Sequence, residues 1–358
     1  MYVVRIFMVA ICLSCSCFLV AEDDITFERV IGPEFPGKYK HPATIAEFQN
    51  GDLYIAYYSG TGEYEQDTRC YGMRLVKGSR EWSKPEIIAD TPDRSDGNVA
   101  IWQSPDGIVW MFYVVNYGPT WCHARVKFKI SKDHGYTWSD SDVLAFEKGS
   151  MVRSRPILLS DGDYLLPLYY ETGDNQEMTA PDTCSYFLRY HPPTKTWTET
   201  NRIYSKTGNL QASPVQIDDS YLVSYIRCGG DFLPNPDRYM YRSESRDGGK
   251  TWSPGELTEF RNPNSAADFI KLQNGHLLLV WNDTNIGDRM PLTVAISTDD
   301  DKSYPYRLNV VNKPGDTAAY PSAIQTKDGR IHIVYTSGAR VNIDHISFDE
   351  AAILKHQK

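Results

Sequence analysis

The chain has 358 residues, a net charge of −9 and no basic block, which argues against nucleic acid or an anionic membrane surface as partner. Its 24 tyrosines and 8 tryptophans suit both tight sheet packing and sugar binding. The length accommodates one large domain.

In chain order, Arg5 precedes a mostly apolar run from Ile6 to Val20 and the acidic Glu22-Asp23-Asp24. This pattern predicts a removable leader over 1–21 and a secreted or periplasmic mature chain over 22–358. The apolar run is too short and badly flanked for a membrane span. A lipid anchor on Cys12, Cys15 or Cys17 is disfavoured, because none follows a good leucine-small-small pattern. Cys70, Cys122, Cys184 and Cys228 lie far apart, unlike a dense disulfide scaffold; three pairings and free buried thiols both stay open.

Beyond the leader, a tight turn recurs at Gly51, Gly107, Gly162, Asp219, Gly275 and Gly329, with gaps of 56, 55, 57, 56 and 54 residues. Each turn separates two β-rich apolar runs: Thr44 to Tyr58, Val99 to Val115, Pro156 to Tyr170, Ala212 to Ile226, Asp268 to Trp281 and Ser322 to Tyr335. A self-similar unit of strands and turns at this period predicts an all-β fold, a six-bladed β-propeller. Glu28 to Ile31, left over at the start, is expected to complete the last blade, whose outer strand would otherwise be an open edge.

A second repeat lies between the third and fourth strands. Ser131-Lys-Asp-His-Gly-Tyr-Thr-Trp138 and Ser245-Arg-Asp-Gly-Gly-Lys-Thr-Trp252 share the form Ser-x-Asp-x-Gly-x-Thr-Trp. Ser297 to Tyr304 is a degraded copy, and Trp82 and Trp197 mark two more. The aspartate is expected to cap backbone amides, the glycine to accept a positive φ, and the tryptophan to pack between sheets. Asp299-Asp300-Asp301 therefore reads as a turn rather than a cation motif, and the Asn282-Asp283-Thr284 sequon carries little weight. No histidine and cysteine spacing suggests zinc, so no metal or other cofactor is expected.

These boxes and the blade period resemble the sialidase (neuraminidase) superfamily, whose aspartate boxes have this form at this place in a six-bladed propeller. The resemblance covers the whole mature chain. If the boxes close one face, the other is built from starts of first strands, ends of second strands and the loops from second to third strands. There the sequence places His41, Asp67, Asn98, Arg153, Arg155, Glu171, Gln211, Arg227, Asp268, Arg289 and Tyr320.

The resemblance implies roles for several of these. In the family three arginines grip a sugar carboxylate, for which the guanidinium fork is matched. Arg227, in Tyr225-Ile-Arg227, matches one, and Arg289, after Trp281-Asn282, is a candidate for another. Where the family has arginine before an Ile-Pro pair, this chain has Lys40-His41-Pro42, a point charge without the fork; His41 becomes a candidate specificity or acid/base residue. Tyr320, in Ala319-Tyr-Pro-Ser, matches the nucleophilic tyrosine, and sialidases are the glycosidases with a Tyr nucleophile. The glutamate that assists it in the family is Gln211 here, so activation would need Glu171 or Asp268 instead. Asp67 stands in the loop that carries the acid/base aspartate, with Glu63 and Glu65 in competition. Arg153 and Arg155 fall at the start of blade three and read as facing an anionic ligand, with Glu171 or Asp268 as alternative partners.

The expected function is thus exo-acting glycoside hydrolysis, by a monomer, releasing a terminal acidic sugar, sialic acid or a related one. Two other readings stay open: a non-catalytic glycan-binding propeller, and a polysaccharide lyase in which arginine neutralises a uronate.

Overall fold

Each repeat closes into an antiparallel sheet because its runs are rich in β-branched, aromatic and other apolar residues, and in five of the six the turn supplies a left-handed glycine. Gly51, Gly107, Gly162, Gly275 and Gly329 all sit at φ of 86° to 92°, a region in which a Cβ is strained. The structure is a computed structural model that describes residues 25–176 and 178–357. The leader expected over 1–21 lies outside the described residues.

Six blade sheets follow one another in chain order, and a further two-stranded ribbon pairs Met178–Thr179 with Gly230–Asp231. Blade one runs Tyr39–Glu47, Leu53–Gly60, Arg69–Leu75 and Glu86–Ala89. Blade two runs Ser95–Gln103, Val109–Asn116, Ala124–Ser131 and Asp142–Ala145. Blade three has a first strand split into Ser150–Val152 and Ile157–Leu158, then Tyr164–Tyr170, Cys184–His191 and Thr196–Glu199. Blade four comprises Asn209–Gln216, Leu222–Cys228, Tyr239–Ser245 and Glu256–Arg261. Blade five comprises Asp268–Lys271, Leu277–Trp281, Leu292–Ser297 and Tyr306–Val311. Blade six, Ala318–Gln325, Ile331–Ser337 and Asn342–Phe348, takes its outer strand, Thr26–Ile31, from the start of the chain. This closure covers the edge that the last blade would otherwise expose. Among the described residues no helix is long and apolar enough to cross a membrane.

The hydrophobic core is the set of seams between blades. Trp252, from the box of blade four, stacks on Phe187 of blade three with ring centroids 4.3 Å apart, and Trp197 of blade three meets Trp110 and Phe112 of blade two. The boxes hold the seams by local hydrogen bonding. Asp133 accepts from the Thr137 amide at 2.9 Å and from Ser131 Oγ at 2.6 Å, while Ser131 Oγ takes the Gly135 amide at 2.8 Å. Asp247 repeats this pattern with Ser245, Gly249 and Thr251. The degraded copy repeats it too: Asp299 accepts from the Ser303 amide at 2.9 Å, and Asp301 stands at φ 71° where glycine stands in the intact boxes. Its strained backbone is held because the buried carboxylate takes Tyr225, Tyr304 and Arg242 as donors.

Cys70, Cys122, Cys184 and Cys228 are buried free thiols, which closes the choice between pairing and free cysteine in favour of the latter.

Candidate active site

At the face opposite the boxes the first strands are irregular. Register shifts fall between His41 and Ala43, Gly97 and Ala100, Leu210 and Ser213, and Ala319 and Ser322. Three residues within these bulges have left-handed backbones: Asn98 at φ 43°, Gln211 at 61° and Tyr320 at 55°. A bulge re-aims its side chain, here toward the propeller axis, and such strain persists only where the surroundings over-determine it.

Around these bulges lies a cavity of about 560 Å³. Its floor is Asn98, Gln211 and Tyr320; its walls come from loops after the second strands and include Glu63, Tyr64, Trp121, Glu171, Gln176, Arg289 and Arg340, with Arg227 at the end of a second strand. Three guanidiniums thus converge with one phenol. Arg227 Nη1 donates to Tyr320 Oη at 2.7 Å and to Gln211 Oε1 at 2.9 Å, and its Nε donates to Asn264 Oδ1 at 2.7 Å. Arg289 Nη2 reaches only the Asn264 carbonyl at 3.4 Å, and its Nη1 is buried with no partner. A buried guanidinium N–H left unpaired is costly unless a ligand satisfies it. Arg340 pairs with Glu63 at 2.8 Å and also donates to Tyr39. Glu63 accepts further from Tyr39 Oη at 2.5 Å and Trp121 Nε1 at 3.0 Å.

This charge sets the titration of the acids and the phenol. Burial pushes the Tyr320 phenol up, but Arg227 and Arg289 outweigh it and hold the group below its ordinary value. Burial likewise raises Glu63, and Arg340, Tyr39 and Trp121 together bring it below the usual carboxylate range. Glu171 lacks such close partners: burial dominates and lifts it to about 7, with Arg227 only partly opposing. Arg289 is lowered to about 10, first by burial, and stays charged at neutral pH. Burial and then the surrounding arginines push His41 well below its ordinary value, so its ring is neutral; it lies edge-on to Tyr320 at 4.1 Å, just behind the floor.

Of the residues expected from sequence, Tyr320, Arg227, Arg289, Gln211, Asn98 and Glu171 line this one cavity. Asp67 does not; its carboxylate is exposed and accepts from the Thr61 amide and hydroxyl, closing its own loop, while Glu63 of the same loop faces inward. Lys40 is buried, but its ammonium turns back to the Gly37 carbonyl at 2.5 Å. Arg155 and Asp268 neutralise each other at 3.2 Å, and Asp268 also accepts from Ser213 and the Ala323 amide, which makes it a tie between blades. Arg153 donates to the Pro321 carbonyl beneath Tyr320. The alternative of a carboxylate partner therefore describes Arg155, through Asp268.

Arg340, Glu63's inward aim and Trp121 were not assigned from sequence. The signal for Arg340 was available: Gly338-Ala339-Arg340 is the loop from second to third strand in blade six, the loop class that builds this face. Its carbonyl accepts the Lys40 amide at 2.7 Å, so the arginine arrives beside the place where Lys40 had been expected to act.

A family model described as a BNR repeat-like domain matches residues 51–333. A search of curated protein sequences finds no match. Among solved structures, the Hadza microbial sialidase Hz136 superposes with a TM-score of 0.72 at 17% identity, covering 88% of this chain and 67% of that one. The intramolecular trans-sialidase from Ruminococcus gnavus gives 0.72 at 13% identity, covering 90% and 97%. A protein of unknown function from Dyadobacter fermentans gives 0.70 at 16% identity, covering 90% and 98%. At these identities the likeness is one of fold.

Proposed function

The chain belongs to the BNR repeat-like domain family and has the sialidase-superfamily propeller, and on that premise we propose that it is a glycoside hydrolase releasing a terminal acidic sugar. The observation that carries this reading is one cavity lined by Arg227, Arg289 and Arg340 together with Tyr320, whose hydroxyl accepts from Arg227. A sugar carboxylate takes the unpaired N–H groups of Arg289 and the open edges of its two neighbours. Tyr320 then attacks the anomeric carbon. A phenol suits that task because, unlike a carboxylate, it is neutral at rest beside the sugar's carboxylate and becomes an anion only where the arginines favour it.

Gln211 takes no proton, and the chain compensates electrostatically: the hydrogen bond from Arg227 and the charge of Arg289 favour the phenolate, whose proton leaves through the open mouth of the cavity to solvent. Glu171, half protonated near neutral pH, is placed as the acid that gives its proton to the leaving oxygen. In the second step the Glu171 carboxylate accepts a proton from water, water attacks the anomeric carbon, and the bond to Tyr320 breaks. Glu63, ionised and held by Arg340, positions that arginine.

Replacing Arg289 by alanine tests carboxylate recognition. With an acidic substrate, KM is expected to rise about 10- to 100-fold, the loss of charge-assisted hydrogen bonds worth about 1.5–3 kcal/mol. With the methyl ester of that substrate the same change should cost little. Equal losses on both would remove the basis for the assignment.

A further inference from the structure

Outside the cavity, four donor atoms meet: Thr120 Oγ1, Cys122 Sγ, His123 Nδ1 and Asp174 Oδ1. Thr120 lies 3.0 Å from Cys122, 3.3 Å from His123 and 3.4 Å from Asp174. Cys122 is 3.3 Å from His123 and 2.8 Å from Asp174, and His123 is 3.6 Å from Asp174. These six separations, from 2.8 to 3.6 Å, are the edges of a distorted tetrahedron. A tetrahedron of that mean edge places its centre about 2.0 Å from each corner, the distance at which zinc holds nitrogen and oxygen, and a shift of Cys122 Sγ outward by about 0.3 Å gives the zinc–sulfur distance of about 2.3 Å.

Hydrogen bonding alone accounts poorly for the arrangement. The thiol and the hydroxyl each bring one proton, the imidazole nitrogen at most one, and the carboxylate none, so three protons face six close contacts. A central cation satisfies all four lone-pair donors together. Local structure also holds the set in place. The 3-10 turn Trp121–His123 folds the three neighbouring side chains over one another, and a Cβ on Gly118 would lie 2.4 Å from the His123 ring. Gln176 ties the opposing loop across by donating to the Pro119 carbonyl at 2.7 Å.

We propose that Thr120, Cys122, His123 and Asp174 form a tetrahedral zinc site that clamps the loop of blade two to the loop of blade three. On binding, the Cys122 thiol loses its proton to solvent, neutral His123 coordinates through Nδ1, and Asp174 supplies its carboxylate. The thiolate and carboxylate then cancel the charge of the cation. The mixed sulfur, nitrogen and oxygen set favours zinc over calcium or magnesium, which take oxygen ligands. The clamp adjoins Trp121 and Gln176 along the chain, which line the cavity while none of the four ligands does, so the metal's place is structural and distinct from the sugar chemistry.

The test uses the full chain purified without a polyhistidine tag, stripped by a chelator and titrated with zinc and then cobalt. Stoichiometric zinc is expected, with a thiolate-to-cobalt charge-transfer band and a melting temperature that rises on metal addition. Losing an outer-shell partner already weakens metal sites about 10- to 100-fold, so Cys122→Ser and Asp174→Asn should each weaken zinc by about 100-fold or more. Only Cys122→Ser should abolish the charge-transfer band. Asp174, whose side chain is 70% exposed, guards against a variant that fails to fold. Zinc held no more tightly by the parent chain than by either variant, or cobalt bound without the thiolate band, would overturn the proposal. Glycosidase activity is not a readout, so this result is separable from the proposed function.

Discussion

Changing Tyr320 to phenylalanine is expected to lower kcat on the true substrate by at least about 10⁴-fold, as removal of a nucleophile does where the rest of the site is intact. The change removes one oxygen and keeps the ring, so the edge-on packing against His41 survives, as does the bulged backbone that both residues adopt at equal cost. Arg227 retains Gln211 and Asn264 as acceptors, so the melting point should move by no more than about 1 kcal/mol of stability implies. The measurement is turnover beside a thermal melt. Undiminished turnover in a folded variant would show that the phenol does not form the bond to the sugar.

The second large effect concerns Glu171. Its carboxyl titrates near 7 because burial disfavours the anion, so it is an acid below that pH and is lost as one above it. For a substrate with a poor leaving group, kcat/KM is expected to fall as pH rises through about 7. Glu171→Gln should then cost about 10²- to 10⁴-fold and flatten that limb. A substrate with an activated leaving group needs no such proton and should lose little in kcat/KM, while its kcat falls because the second step lacks its base. Linkage gives a stability signature with a definite sign. The folded state binds this proton more tightly than the unfolded chain, whose carboxyl titrates at 4.5, so the native protein loses stability as pH rises from 4.5 to about 7. The Gln variant lacks that loss and should gain on the parent across the same window. Equal losses in kcat/KM for good and poor leaving groups would remove Glu171 from the acid role.

The architecture was legible because propeller blades repeat: turn glycines and box aspartates report local backbone needs that tertiary context does not override. Much of the cavity was legible for a related reason, since chain direction alone assigns strand ends to one face. That rule reached Asn98, Gln211, Tyr320, Arg227, Glu171 and Arg289. It failed where side-chain aim is decided inside a loop. Asp67 and Glu63 stand four residues apart, and only the hydrogen bonds from Thr61 to Asp67 show which carboxylate is consumed in closing the loop. Lys40 shows the same limit, for its ammonium is spent on the nearby Gly37 carbonyl while Arg340, three hundred residues away in sequence, enters the cavity. For Arg155 the sequence offers an anionic ligand, Glu171 or Asp268 without choosing among them, because the pairing with Asp268 joins blade three to blade five, a contact that only the closed fold displays. The Cys122 cluster was invisible to spacing rules, since its fourth donor, Asp174, comes from the next blade's loop.

The account turns on whether this cavity hydrolyses the bond to a terminal acidic sugar, and the mass of the product released from a panel of acidic and neutral glycans decides that. The predicted result is a free monosaccharide that carries its carboxylate intact and has gained the elements of water, with the remaining glycan shortened by one unit. Binding without release, an unsaturated sugar formed without water, or release from neutral glycans alone would contradict it.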